Sequence, residues 1–578
     1  MRLLISGLFT VLLFGQIPLK YENNETPTYD QAIHWYKVLD STYDNAHLVK
    51  YGETDSGKPL HLFIFSSIPG KLPNPATYRD QGKSMLLVIN AIHAGEACGV
   101  DASIRFAEDL LIQGSIPDNV VIGIIPIYNI GGVLNRNSTT RVNQNGPQEY
   151  GFRGNARNLD LNRDFIKTDS KNAKTLTTIF HEWKPDILID THTSNGADYQ
   201  HIMTFLGPNP QNYPPAISQF IEAKLIPDLY SSMEKNRYPI IPYVTPLGDT
   251  PEKGLLAGID PPRYSSGYAA LFNTLAFISE AHMLKPYKDR VKSTLSFLQS
   301  ILNIMEENTP ELLSIKNEAN NFMRSKDEFV LTWEMDSTRF DQVLYLGYEA
   351  KYVPSRVTGQ KRLFYDRSSP YEKQIPVAAY SKAIVNVKKP HYYIIPQGWS
   401  EVIERLELNQ IQLYSITKDT LVEGEMYTID EESVLPDRTN GHYFHTSVSV
   451  KPTIRSKMFY KGDVVVPLNQ DGNRYIVETL EPQGTDSFFR WNFFESILDQ
   501  REYFSPYVFE EIADSLLMND VKLRKNFETK KRSDPRFADD SNAQLNYIYR
   551  HSPYLEDTYR LYPVMRIVQN VNLPMEKR

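Results

Sequence analysis

Three short polar segments each follow an apolar run of buried-strand type. His93-Ala94-Gly95-Glu96 follows MLLVINAI (85–92), Thr191-His192-Thr193 follows ILID (187–190), and Glu280-Ala281-His282 follows LAFIS (275–279). In an open parallel sheet, ligands bind beyond the carboxyl ends of the strands, so segments far apart in sequence can meet in one cleft. A histidine and a glutamate three residues apart in a tight turn can face one centre, and His192 on a neighbouring strand adds a second imidazole. Two imidazoles and a carboxylate, here His93, Glu96 and His192, form the donor set of a catalytic zinc that keeps a fourth position open. One Zn2+ is therefore the expected cofactor. Such an ion activates water and polarises a carbonyl, and a carboxylate outside its ligand set must carry the proton. Glu280 has the position for that.

Each signal alone is weak. His-x-x-Glu is frequent by chance, and a lone interior histidine is usually a hydrogen-bonded core residue. The conjunction is stronger, because three polar groups at successive strand ends of one sheet would otherwise be buried at a cost. His181, Glu182 and His282 lie close in sequence as competitors. His181-Glu182 falls in a helical pattern without a second histidine at the spacing of the helical zinc motif, so these are read as structural. Cys98, the sole cysteine, reads as a small buried thiol, and a single cysteine excludes an intramolecular disulfide.

The segment FRGNARNLDLNRDF (152–165) carries arginines and asparagines but no lysine. Guanidinium groups take carboxylates through paired hydrogen bonds, so the segment suits a substrate with a carboxylate beside the scissile amide. The plain alternative is a solvated polar loop.

These residues need a scaffold, and the sequence supplies one. Residues 27–50 read as a helical pro-region or first layer, and HLFIFSS (61–67) as a strand. MLLVINAI, VVIGIIPIYN (120–129), ILIDTHT (187–193) and LAFISEAHM (275–283) read as further strands, while DASIRFAEDLLI (101–112) and NAKTLTTIFHEW (172–183) have helical spacing. The alternation predicts an α/β fold, a mostly parallel sheet covered on both faces. Residues 285–324 read as one or two closing helices with Pro286 at a start. From about Phe329 shorter alternating runs such as YYIIP (392–396) and GDVVVPL (462–468) appear, with helical WSEVIERLEL (399–408) among them and SILDQREYFSPYVFEEIADSLLM (496–518) helical in large part, broken by Pro506. The expected organisation is a signal peptide at 1–20, a catalytic domain at 27–324 and an accessory α+β or β-rich region at 325–578.

Composition narrows the function classes. With 578 residues, 41% hydrophobic and 23% charged, the chain is globular and long enough for more than one domain. A net charge of -8 and the lack of a long basic run argue against nucleic acid as a partner. The apolar run Leu3–Phe14 after Arg2 has the pattern of a secretory signal and is shorter than the roughly 20 residues of a membrane span. An exported, periplasmic or extracellular protein with no stable membrane anchor after signal cleavage is expected.

HAGE, NRNS through NLDLNRDF, DTHT and ISEAH, in this order, resemble the zinc carboxypeptidase family of the carboxypeptidase A type over residues from about 30 to 310. The resemblance implies a doubly wound α/β/α sandwich with a mixed sheet, zinc on His93, Glu96 and His192, and Glu280 as base. It also implies that Asn162 and Arg163 hold the substrate's terminal carboxylate and that Arg153, more than Arg157, polarises the scissile carbonyl. YNIGG (128–132) is similar to the family's Asn-Pro-Asp-Gly turn, with Ile130 and Gly131 in place of its central residues. The family's mobile tyrosine has two candidates, Tyr264 and Tyr268, and Arg263 beside them is a further substrate contact. The expected function is removal of single residues from peptide C-termini. The alternatives are the same zinc chemistry on cell-wall peptides or N-acyl amino acids, and a catalytically inactive binding protein.

Overall fold

The computed structural model describes residues 16–70 and 72–578, so the expected signal run Leu3–Phe14 lies outside the described residues. The chain divides into two compact units. The first runs to Lys389 and takes in Glu404–Ile411 and Asn469–Glu478; the second holds the remainder. The change of pattern near residue 325 marks the end of a long helix, and the first unit continues past it.

In the first unit, strands β1 (Ala46–Glu53), β2 (Pro59–Phe65), β3 (Ser84–Ile89), β4 (Val120–Ile125), β5 (Ile187–Ser194), β6 (Met203–Leu206), β7 (Ile240–Pro242) and β9 (Leu275–His282) form one sheet, with β8 (Leu255–Leu256) outside it. Their order is β1-β2-β4-β3-β5-β9-β6-β7. The central pairs β4-β3, β3-β5 and β5-β9 are parallel, whereas β1-β2, β2-β4 and β6-β9 are antiparallel. This is the expected mixed sheet. Every residue of β3, β4 and β5 is buried, which is why β3, β4 and the first half of β5 read as apolar runs.

Helices α1 (Tyr29–Thr42), α2 (Cys98–Gln113), α3 (Ile130–Leu134), α4 (Lys171–Trp183), α5 (Pro215–Phe220), α6 (Ile226–Lys235), α7 (Ser265–Ala270) and α8 (Tyr287–Ser325) accompany the sheet. Residues 27–50 are not one helix. A Thr28–Gln31 capping box starts α1, and the chain turns after Thr42 into β1, whose residues pair with β2. The closing segment is a single helix, α8, with Pro286 as its N-cap residue and Pro310 inside it. Beyond it, β10 (Glu328–Met335) pairs with β13 (Ser381–Lys388), and β11 (Asp341–Pro354) and β12 (Lys361–Ala378) form a long hairpin that joins β8.

The second unit contains β14 (Tyr392–Ile395), β15 (Tyr414–Ile416), β16 (Thr420–Val434), β17 (His445–Phe459), β18 (Val464–Pro467), β19 (Met565–Ile567) and β20 (Met575–Lys577), ordered β17-β16-β19-β14-β18-β15-β20 with antiparallel pairs throughout. Its helices Pro506–Asn519, Val521–Ser533 and Ser541–Arg550 share a cluster that includes Phe509, Leu523, Phe527 and Leu545. Pro506 opens the first of these helices, and most of 496–505 is not helical, because a proline needs no amide donor at a first turn.

Candidate active site

The strand β3 ends at Ile89, and the chain turns through Ala91, a non-glycine residue with φ of 55°. Such a backbone is disfavoured for a residue with a Cβ and is held here by its surroundings. The Asn129 amide group donates to the carbonyls of Ile92 (3.3 Å) and Arg153 (2.9 Å), which fastens the arginine segment to the turn. Glu96 N then donates to His93 O at 2.8 Å, so both side chains leave one tight turn. At Gly99, on α2, a Cβ would lie 1.9 Å from Thr191 Oγ1. Only glycine lets α2 approach β5 this closely, and Thr191 is followed directly by His192.

One ligand atom each from His93, Glu96 and His192 falls within 4.8 Å of the others, and all three residues are buried. His93 Nδ1 lies 3.1 Å from Glu96 Oε1 and His192 Nδ1 lies 2.9 Å from Glu96 Oε2. The opposite ring nitrogens face carboxylates, His93 Nε2 at 3.1 Å from Asp160 Oδ1 and His192 Nε2 at 3.0 Å from Asp190 Oδ2. Carboxylates behind metal-binding histidines fix ring orientation and tautomer. Asp160 also meets Arg153 (2.9 Å), and Asp190 accepts from the Ser265 hydroxyl (2.7 Å).

The electrostatics follow from this packing. Burial opposes the charge on Glu96, yet His93, Arg141 and a hydrogen bond from His192 hold its carboxyl well below the usual range. Burial likewise opposes charge on His192, but Asp190 and Glu96 raise its imidazolium well above the ordinary value. A divalent cation held by the two imidazoles and the carboxylate between them would displace the proton in their midst. The donor set therefore fits zinc.

Glu280 stands opposite His192 in the parallel β5-β9 register. Its Oε2 is buried with no hydrogen-bond partner. Burial pushes its carboxyl up to about 8, Glu96 and Asp190 push the same way, and His192 and Arg153 oppose them. Arg153 stays half exposed, with Nη1 at 3.9 Å from Glu96 Oε1. Arg157 instead donates to the Asp169 carbonyl (2.7 Å).

Asn162 and Arg163 sit in a short turn anchored by Asp160, whose Oδ1 accepts from Asn162 N at 3.0 Å. Asn162 Oδ1 is buried without a hydrogen-bond partner, and the Arg163 guanidinium lies 4.3 Å from the centre of the Tyr264 ring. Arg263 and Tyr264 immediately precede α7 and are partly exposed. Tyr268 has a different setting. It is buried, and its hydroxyl lies 2.9 Å from His181 Nε2 and 2.6 Å from Asn409 Oδ1. His181 is thereby a core residue, its pKa lowered by burial to about 4. His282 packs on Tyr199 with ring centres 4.1 Å apart, and Cys98 is a buried thiol raised by burial.

Three neighbours of the cluster went unassigned in the sequence reading. Asp190 had a signal, since residues two apart on a strand share a face and Asp190 precedes His192 by two. Asp160 lies in the quoted NLDLNRDF segment without a role. Arg141 had none. Its Nη2 reaches Glu96 Oε1 at 2.7 Å from a loop 45 residues away, across Gly95, where a Cβ would stand 2.2 Å from Arg141 Nε.

Residues 32–207 match the family model described as zinc carboxypeptidase. Over that span the chain is similar to zinc carboxypeptidases. The matched span holds His93, Glu96, Arg153, Asn162, Arg163 and His192 and stops before Glu280. The protein named Carboxypeptidase 2 from Trichophyton equinum is 20% identical over 502 residues, covering 82% of this chain and 86% of its own. Its namesake in Trichophyton rubrum is 20% identical over 461 residues, 75% and 78% of the two chains. Among solved structures, the metallo-carboxypeptidase from Burkholderia cenocepacia shares 14% identity at a TM-score of 0.37, covering 50% of this chain and 71% of that one.

Proposed function

We propose that the chain is an exported zinc metallocarboxypeptidase that hydrolyses C-terminal peptide bonds of substrates bearing a free carboxylate. The observation that carries the reading is the meeting of His93, Glu96 and His192, with Glu280 opposite His192 on the adjacent strand. His93, Glu96 and His192 would hold one ion, which when bound supplies Lewis-acid polarisation of the scissile carbonyl and of a water.

Glu280 takes the proton from the attacking water and returns it to the leaving amine. A carboxyl raised by burial suits that exchange, because efficient proton transfer needs a pKa near the working pH. Arg153, half exposed at the rim, offers a guanidinium to the developing oxyanion. Asn162 and Arg163 hold the terminal carboxylate, with Tyr264 bracing the Arg163 guanidinium and Arg263 beside it as a further contact. Asp160 and Asp190 keep the two imidazoles aimed. Export rests on the apolar run Leu3–Phe14, and among the described residues no helix is long and apolar enough to cross a membrane.

A hydrolysis screen tests the reading. Blocked dipeptides, muropeptides and N-acyl amino acids are compared with and without a chelator. Release of the C-terminal residue from blocked dipeptides, abolished by the chelator and restored by zinc, is expected. Chelator-resistant hydrolysis, or cleavage confined to muropeptides or acyl amino acids, would overturn the mechanism or the substrate assignment respectively.

A further inference from the structure

A cavity of about 250 Å³ opens in the first unit where the end of α8, the start of β10 and the helix Asn473–Leu480 come together. Its walls carry Phe322, Phe329 and Trp333 together with Lys326, Arg474 and Glu478. An apolar cavity of about 150 Å³ already admits a benzene ring, so this space holds an aromatic ring with a short arm.

The charged groups are not equivalent. Arg474 is buried and committed: its Nε donates to Glu478 Oε1 at 2.5 Å, and its Nη1 donates to the carbonyls of Asn212 (2.6 Å) and Ala270 (3.3 Å). Lys326 is half-buried, and its ammonium lies 5.8 Å from the centre of the Phe322 ring and 5.6 Å from that of Phe329. No hydrogen bond or ion pair of that ammonium accompanies these ring contacts among the described residues. The lining thus holds two cations and one carboxylate, and the carboxylate is spent on Arg474. Burial and Arg474 both lower the Lys326 pKa, with Glu478 and Glu328 opposing, so an anion in the cavity would relieve an existing repulsion.

We propose that this cavity binds small monocarboxylates with an aromatic body, the carboxylate on Lys326 and the ring among Phe322, Phe329 and Trp333. The ring faces supply apolar area and edge-to-face partners, and the lysine supplies a charge-assisted bond in a partly dry setting. Pockets that combine aromatic walls with one or two aimed polar groups are the usual form of a small-molecule site.

The test uses the full chain labelled with 5-fluorotryptophan, the Trp333 resonance being assigned through Trp333→Phe, and 4-phenylbutyrate as probe. A saturable shift of the Trp333 resonance is expected. Lys326→Met should weaken it about tenfold or more, and the neutral 4-phenylbutyramide should bind wild type about tenfold more weakly than the acid. The local readout separates this site from carboxylate binding near Arg163. An unmoved Trp333 resonance, equal affinity for acid and amide, or unchanged affinity in Lys326→Met would each overturn the proposal.

Discussion

Each unit of this chain buries a cluster of opposite charges, and the two clusters end differently. In the second unit Arg566 lies between Glu425 and Glu481, with Nε 2.9 Å from Glu481 Oε1, and the Tyr393 hydroxyl donates to the same glutamate at 2.5 Å. The charges there pair with one another. In the first unit Glu96 gathers two imidazoles, the Arg141 guanidinium and the Thr193 amide, yet Glu280 beside them keeps a buried oxygen without a hydrogen bond. A buried ionic network whose groups satisfy one another serves packing, whereas one that aims several donors at a common point and leaves a carboxyl unspent is fitted for a ligand and a reaction.

The contrast can be broken most sharply at Glu280. Glu280→Gln is expected to lower kcat on the order of a thousandfold, as loss of a general base does, without loss of folded protein. Undiminished turnover would remove Glu280 from the mechanism. At Arg566 the reverse pattern is expected: Arg566→Met removes the cation from buried Glu481 and half-buried Glu425 and should cost about 3–5 kcal/mol in denaturant unfolding. The kcat of whatever folded fraction remains should hold.

Asp190→Asn probes the carboxylate behind His192. Zinc affinity in a chelator competition should fall about 10- to 100-fold with little change in stability. A change below twofold would mean that Asp190 serves packing alone.

A separate effect concerns pH. Asp101, fully buried and bonded by Thr26 and Tyr287, is raised by burial from 3.8 to about 7. The fold therefore binds its proton more tightly than the unfolded chain. The stability this group contributes is complete below about pH 4 and is lost as pH rises through 7. Asp101→Asn should flatten that part of the stability profile between about pH 4 and 7, measured by urea unfolding. An unchanged slope would contradict the assignment.

Much of the sheet was legible because its central strands are buried on both faces, so β3, β4, β5 and β9 appear as apolar runs that any reading finds. The clustered residues His93, Glu96 and His192 were legible for a related reason: polar side chains directly after such runs stand at strand ends. What escaped depended on distance in sequence. The turn from α1 to β1 was hidden because 46–50 alternates weakly, and β6 and β7 are only 4 and 3 residues long. Arg141 reaches Glu96 from a loop without periodicity. The fates of Tyr264 and Tyr268 separated only in three dimensions, since Tyr268 is claimed by Asn409, 141 residues downstream.

The most direct test of the central claim is a zinc titration of the metal-stripped protein by equilibrium dialysis, read by elemental analysis, for wild type beside His192→Ala. One zinc per wild-type chain is predicted, with binding lost in the variant while its circular dichroism stays unchanged. A wild type that takes up no zinc, or a His192→Ala chain that holds it equally well, would contradict the account.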